Sequence, residues 1–287
     1  MLSKVRTILE MIKFEHTVFA LPFALTSAVV AAGGFPNGRT ILWILVAMVG
    51  ARSAAMAFNR IADLHYDKLN PRTAGRALPR GIVKLAEVWV FTLVSAAVFV
   101  FASFMLNTLA FALSPVALLV ILGYSYTKRF TSLSHLVLGL ALGIAPVGAW
   151  IAVTGRLEFA PMVLSAAVMF WTAGFDIIYA LQDLEFDREQ GLFSIPKALG
   201  PGRALLVSRL FHLTTLGMLV WFGLLIGSGT VYWIGVALVA VLLAYEQSLV
   251  RPNDLSRVDV AFFNTNGFIS IGFAAFTILE AFFKRGM

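Results

Sequence analysis

Two short acidic segments stand out in a chain otherwise poor in charge. DLHYDK occupies 63–68 and DLEFDR occupies 183–188. The chain has 15 acidic residues in 287, and seven of them are Asp63, Asp67, Asp176, Asp183, Glu185, Asp187 and Glu189. Read with its upstream neighbour, the first segment is Asn59-x3-Asp63-x3-Asp67; the second is Asp176-x2-Tyr179-x3-Asp183-x3-Asp187. Residues four apart lie one turn apart on one helix face, so each segment predicts a stripe of carboxylates. Two stripes facing one cavity would form a hard-cation site, and Mg²⁺ takes carboxylate oxygens while keeping positions for water and phosphate. Like charges held this close are unfavourable without a cation. Basic residues complete the pattern. NPRTAGRALPRG places Arg72, Arg76 and Arg80 just past the first stripe, and its Pro and Gly residues make it a structured loop. Lys128 and Arg129 follow another apolar run, and Lys197 follows the second stripe. Arg pairs bidentately with phosphate oxygens. Carboxylates for a metal, with Arg and Lys for anionic oxygens, predict a diphosphate site. One D-x3-D is commonplace on a solvated surface; two copies beside arginines in an acid-poor chain are not. Tyr179 reads equally as part of the site or as an interfacial aromatic.

The elements that must position these groups are membrane helices. Hydrophobic residues make up 60% of the chain and charged residues 13%, with a mean hydropathy of +0.88. A soluble domain carries about a quarter charged residues. Cysteine is absent, which excludes disulfides and thiolate metal sites. The net charge of +7 does not indicate nucleic acid, because the charges fall in short loops between apolar runs. A transmembrane helix needs about 20 apolar residues. Nine runs qualify: 14–34, 40–60, 85–106, 108–126, 133–153, 159–181, 203–226, 229–249 and 261–282, the third and fourth joined by a tight turn at Asn107. They are too long for barrel strands and lack period-2 alternation. Small residues recur, as in LGLALGIAPVGAW, and allow close helix packing. The N-terminal MLSKVRTILEMIKFEH reads as an amphipathic entry helix rather than a cleaved signal. No polar stretch is long enough for a further soluble domain, so residues 1–287 read as one domain.

Of 22 Lys and Arg, seventeen fall on the side holding the N-terminus and both acidic segments, four on the other, and Arg52 lies within the second run. The positive-inside rule places the first side in the cytoplasm. The expected architecture is an all-α integral membrane protein, a bundle of nine transmembrane helices around a central cavity opening to the cytoplasmic side.

At these residues the chain resembles the UbiA family of intramembrane prenyltransferases, over nearly its whole length. The family's first motif is matched by Asn59, Asp63, Asp67, Arg72, Thr73, Arg76, Leu78, Pro79 and Gly81. The second is matched by Asp176, Tyr179, Asp183 and Asp187, with Gly191 and Ser194 downstream, and the Y-x-K-R segment by Tyr126, Lys128 and Arg129. The resemblance implies transfer of a polyprenyl group from polyprenyl diphosphate to a ring carbon of a phenolic aromatic acid in a bacterial plasma membrane. Asp63, Asp67, Asp183 and Asp187 would hold Mg²⁺. Asn59, Arg72, Arg76, Lys128, Tyr179, Asp176 and Lys197 would bind substrate. Arg129 would face an acceptor carboxylate. The acceptor most implied is 4-hydroxybenzoate, for ubiquinone or menaquinone biosynthesis; some relatives act on a dihydroxynaphthoate acid, and others on haem, chlorophyllide, homogentisate or a glycerol phosphate. Arg60 departs from the pattern, since many relatives carry an acid there.

Several residues stay open. Glu15 and His16 read as a helix start or as pocket lining. His135 and His212 stand alone, with no metal-binding spacing. Asn264 and Asn266 interrupt the last apolar run and suit either function or interhelical hydrogen bonds. A nine-span transporter is the competing class, but its charges would sit near the bilayer midplane on broken helices.

Overall fold

The computed structural model describes Thr7 and residues 19–285, the last two by backbone alone. Residues 14–18 of the first expected span lie outside the described residues, as do Glu15, His16 and the proposed entry helix apart from Thr7. Twelve α-helices follow in order: α1 (Leu21–Ala31), α2 (Gly38–Ala62), α3 (Leu64–Leu69), α4 (Leu85–Leu106), α5 (Thr108–Gly123), α6 (Ser134–Thr154), α7 (Phe159–Ala180), α8 (Leu184–Glu189), α9 (Ile195–Leu199), α10 (Pro201–Leu225), α11 (Thr230–Ser248) and α12 (Asn266–Arg285). Three tighter or wider turns join them: 3₁₀ segments at Tyr124–Arg129 and Leu181–Asp183, and a π-helical segment at Val260–Thr265. Among the described residues, eight helices are long and apolar enough to cross a membrane. The first expected run contributes α1, whose described part is 11 residues. The other eight runs match helices to within a few residues, because apolar length and helix length are one constraint in lipid.

Asn107 does make the tight turn. Its side chain accepts from Ala110 N–H at 2.9 Å, capping α5, and its amide donates to the Ile151 carbonyl at 2.8 Å. Small residues set the helix spacing. A Cβ on Gly139 of α6 would lie 2.2 Å from the Met169 carbonyl oxygen of α7, and one on Gly143 would lie 2.8 Å from the Ser165 carbonyl oxygen. The two helices thus touch backbone to backbone, and Ser165 Oγ donates to the Gly143 carbonyl at 2.6 Å. On the other side of α7, Ser208 of α10 donates to the Gly174 carbonyl at 2.8 Å.

The main core is aromatic: Phe19, Phe23, Trp171, Phe175, Tyr232 and Phe273 are buried together. A polar thread runs through it. Trp171 Nε1–H donates to Asn266 Oδ1 at 2.7 Å, and Asn266 Nδ2 donates to buried Glu246 at 3.2 Å. The same amide reaches the Ala261 and Phe262 carbonyls, each at 3.1 Å. A π-turn loosens the regular backbone ladder, and the Asn266 side chain meets carbonyls inside it. Asn266 is therefore an interhelical hydrogen-bonding residue.

Both acidic hexapeptides break a helix in the same way. Asp63 has φ −91° and ψ 4°, between α2 and α3. Asp183 has φ −101° and ψ 6°, between the 3₁₀ turn and α8. This bridge region is sparsely populated. The predicted continuous stripe is thus a helix end followed by a short offset helix. Spacing survives the break, since Asp63 N–H bonds the Asn59 carbonyl at 2.9 Å and Asp67 N–H bonds the Asp63 carbonyl at 2.7 Å.

Candidate active site at the mouth of the bundle

The two breaks meet across one cavity of about 700 Å³. Asp63, Asp67, Asp176, Asp183 and Asp187 all line it, with Asn59, Tyr179, Arg72, Arg76, Lys128 and Arg129. Its deeper wall is apolar, including Ile44, Met48, Leu138, Leu142 and Ile144.

Each side chain is held by an identifiable device. The 70–83 loop folds on Asn70, whose Oδ1 accepts the Arg72 N–H at 2.9 Å. Gly81 closes the loop at φ 70°, a conformation that disfavours any side chain. The loop turns Arg72 onto the second motif. Arg72 Nε lies 3.0 Å from Asp183 Oδ1, Nη2 contacts Oδ2, and Nη1 donates to the Tyr179 hydroxyl at 2.7 Å. Asn70 Nδ2 adds a bond to Asp183 at 3.1 Å. Arg76 Nη1 reaches both oxygens of Asp67, at 2.7 and 2.9 Å. Lys128 Nζ lies 3.2 Å from Asp187 Oδ1. Asn59 Nδ2 donates to Asp63 at 2.9 Å, and to Ser125 at the 3.5 Å limit. Burial pushes the Asp63 carboxyl up to about 6; the Asp67 charge adds to this, while Arg60, Lys128 and Arg129 oppose it.

The acids therefore share a cavity but not yet a coordination shell. Among the described residues no three carboxylates or imidazoles converge closely enough to hold an ion. Three of the acids are instead neutralised by Arg72, Arg76 and Lys128. The donor set still fits a hard cation. All four motif carboxylates face the cavity, and Asp187 Oδ2 is buried without a hydrogen-bond partner. An oxygen left in that state favours a ligand that supplies positive charge.

Other predicted residues take distinct places. Arg129 lies between the Tyr126 and Tyr66 rings, 4.7 and 5.5 Å from their centroids, and its Nη2 donates to the Ala62 carbonyl at the end of α2. Tyr179 lines the cavity and packs on Phe262 at 4.2 Å between centroids. Lys197 is not among the lining residues; its ammonium donates to the Leu192 carbonyl at 2.6 Å. Arg60, the departure from the family pattern, is buried with Nη1 3.8 Å from Asp67 Oδ2, a second cation beside that acid.

Sequence reading missed four contributors. His135 pairs with Asp176 across 41 positions. Asn70 and Ser125 carry no motif signal. Arg52 lines the cavity two turns below Asn59, and the signal was present: an Arg inside an apolar span is costly unless it faces a polar interior.

The model of the UbiA prenyltransferase family matches residues 20–271. A 4-hydroxybenzoate octaprenyltransferase of Aeromonas salmonicida (strain A449) is 34% identical over 236 residues, covering 82% of this chain and 81% of the relative. One of Burkholderia ambifaria, with the same name, is 29% identical over 289 residues, covering 97% and 98%. Among solved structures, the apo structure of a UbiA homolog from Aeropyrum pernix K1 superposes with a TM-score of 0.85 at 36% identity, covering 93% of this chain and 98% of that one. A UbiA homolog from Archaeoglobus fulgidus bound to DMAPP and Mg²⁺ shares the fold, with a TM-score of 0.72 at 20% identity over 96% and 99% of the chains. The family model covers most of the chain and the motif residues gather at one cavity; the chain belongs to the UbiA prenyltransferase family and is a multi-pass membrane enzyme.

Proposed function

We propose that this enzyme transfers a polyprenyl group from polyprenyl diphosphate to a ring carbon of 4-hydroxybenzoate, in quinone biosynthesis, with Mg²⁺ as cofactor. We read residues 1–287 as one catalytic domain. The observation that carries the reading is the convergence of Asp63, Asp67, Asp183 and Asp187 with Arg72, Arg76 and Lys128 around a cavity whose remaining wall is apolar. That combination suits a charged head on a hydrocarbon tail. The relatives' shared name, 4-hydroxybenzoate octaprenyltransferase, supports the acceptor.

The four aspartates are the ligands for Mg²⁺, which when bound supplies Lewis-acid stabilisation to the leaving diphosphate. Arg72, Arg76 and Lys128 turn from their carboxylates to diphosphate oxygens, placing positive charge where negative charge develops. Asn59 orients Asp63. The packed rings of Tyr179 and Phe262 present π-faces to the allylic cation and keep water from it. Arg129, fixed by two rings and a helix-end carbonyl, takes the acceptor carboxylate. The basic residues at the mouth favour a cytoplasmic orientation for it, in the plasma membrane of a bacterium.

The test uses purified protein in nanodiscs with Mg²⁺ and a radiolabelled polyprenyl diphosphate. Prenylated 4-hydroxybenzoate, lost in Asp63→Ala, in Asp183→Ala and with EDTA, is the expected result. Product only from a dihydroxynaphthoate acid would move the enzyme to the menaquinone route. Diphosphate that fails to bind at all would refute the site.

A further inference from the structure

Three of the mouth carboxylates are ion-paired, and the fourth, Asp63, accepts from Asn59 on one oxygen. Both oxygens of Asp67 face Arg76, and both oxygens of Asp183 face Arg72. Asp187 gives Oδ1 to Lys128 and keeps Oδ2 buried. Asp176 differs. Its ion-pair partner among the described residues is an imidazole, with His135 Nδ1 at 2.7 Å from Oδ2. Among the described residues its Oδ1 makes no hydrogen bond.

The tautomer of His135 follows from its second contact. Nε2 receives the Ile195 N–H at 3.3 Å. A ring nitrogen that accepts a hydrogen bond carries no proton, so the proton sits on Nδ1 and is donated to Asp176. The imidazole is 1% exposed, while Asp176 is 23% exposed toward the cavity. Packing therefore fixes the donor and leaves the carboxylate reachable. Gly139 and Gly143 bring α6 and α7 into backbone contact and hold the pair in register.

Depth matters as well. Asp176 precedes Asp183 by seven residues, or about 10 Å along a helix. It thus lines the cavity deeper than the carboxylates at the diphosphate end.

We propose that Asp176, oriented by His135, is the base that removes the ring proton in the last step of the transfer. The proposal rests on the aromatic-acceptor reading above. The allylic C–O bond breaks with its electron pair leaving on the diphosphate. Ring π electrons then form the new C–C bond, which leaves the attacked ring carbon tetrahedral, still bearing its hydrogen, in a cationic ring. Asp176 takes that hydrogen as a proton, and the C–H pair returns to the ring and restores aromaticity. Asp176 is left as the neutral acid and loses its proton to water when product departs. Nothing is oxidised or reduced. Asp176 is a catalytic residue in this scheme, and His135 is a positioning residue.

The experiment measures single-turnover rates in nanodiscs with Mg²⁺ and polyprenyl diphosphate. It uses 4-hydroxybenzoate and, separately, the same acid deuterated at both ring positions beside the hydroxyl. Wild type should show an isotope effect close to unity, because proton loss follows a slower ionisation. Asp176→Asn should bind prenyl diphosphate normally, lose about a hundredfold in rate, and show an isotope effect clearly above unity. His135→Asn keeps a donor at the Nδ1 position and should retain most of the rate with no isotope effect. His135→Phe should lose rate and expose the effect. This pair decides the matter if Asp176→Asn fails to fold. A slow Asp176→Asn with no isotope effect would make Asp176 structural and overturn the proposal. An unchanged rate would also overturn it and move the base elsewhere, the departing diphosphate included. Wild type that prenylates no aromatic acid would overturn the functional reading itself.

Discussion

Arg72→Gln should change metal and diphosphate binding in opposite directions. In the structure Arg72 occupies both oxygens of Asp183, and its side chain is 32% exposed against 12% for the acid. A metal ion held by Asp183 would have to take the place of this guanidinium, so the pair would compete with it. Exposed pairs are worth about 0–1 kcal/mol, and breaking a buried one costs about 3–5 kcal/mol. This partly buried pair falls between the two, and roughly 1–2 kcal/mol of competition converts to metal binding about 5- to 30-fold tighter without it. The diphosphate loses a bidentate partner and should bind at least about tenfold more weakly at saturating metal. Mn²⁺ titration followed by its EPR signal reads the first quantity, and inorganic pyrophosphate titration at saturating Mn²⁺ reads the second. Arg80→Gln controls for general charge loss, since Arg80 lies in the same loop and makes no ion pair among the described residues. If Arg72→Gln leaves Mn²⁺ affinity unchanged or weaker, or if Arg80→Gln matches it, the exchange of partners at Asp183 is refuted.

Three further outcomes follow from the geometry. Asp63 is the acid raised to about 6 in the metal-free protein, so its protonated form dominates below that pH and excludes the ion; Mn²⁺ affinity should be flat above pH 7 and fall steadily below about 6. Asn266→Leu should strand the Trp171 N–H and one Glu246 oxygen inside the bundle, at about 1–3 kcal/mol for each buried polar group left unpaired, and should lower the thermal midpoint in detergent measurably. Gly139→Val should be worse than Gly139→Ala, because the added atoms meet the Met169 backbone rather than a movable side chain; both should lower the midpoint and reduce turnover by shifting His135 against Asp176.

Much of this architecture was legible in the residues because lipid leaves few options. Runs of apolar length dictate helices, and eight expected runs reappear as helices with ends within a few residues. The motif spacing of Asp63 and Asp67 also survived the bridge-region break at Asp63. Spacing speaks to one element at a time. It could not show that Arg72 crosses to Asp183, or that Lys128 crosses to Asp187, since these pairs are made by tertiary packing. It could not show His135 meeting Asp176, because neither residue lies at helical spacing from the other. The expectation of a preformed carboxylate cluster treated like charges as needing a metal, whereas neighbouring cations fill the same role. Lys197 shows the converse, a basic residue in the right segment that bonds its own loop.

The π-helical segment at Val260–Thr265 has a consequence for how the last span tolerates change. A wide turn holds one more residue than a regular one and shifts the phase of everything before it by about 100°. Phe262 lies inside that turn and packs on Tyr179 with the rings tilted by 30°, and Tyr179 in turn holds Arg72. Losing a single residue between 260 and 265 would leave the length, charge and hydropathy of the span almost untouched, so a hydropathy profile would register nothing. It would nonetheless restore an ordinary helix, swing the phenyl ring off its partner, and loosen the arginine at the mouth. In this helix the count of residues, more than their kind, carries the information.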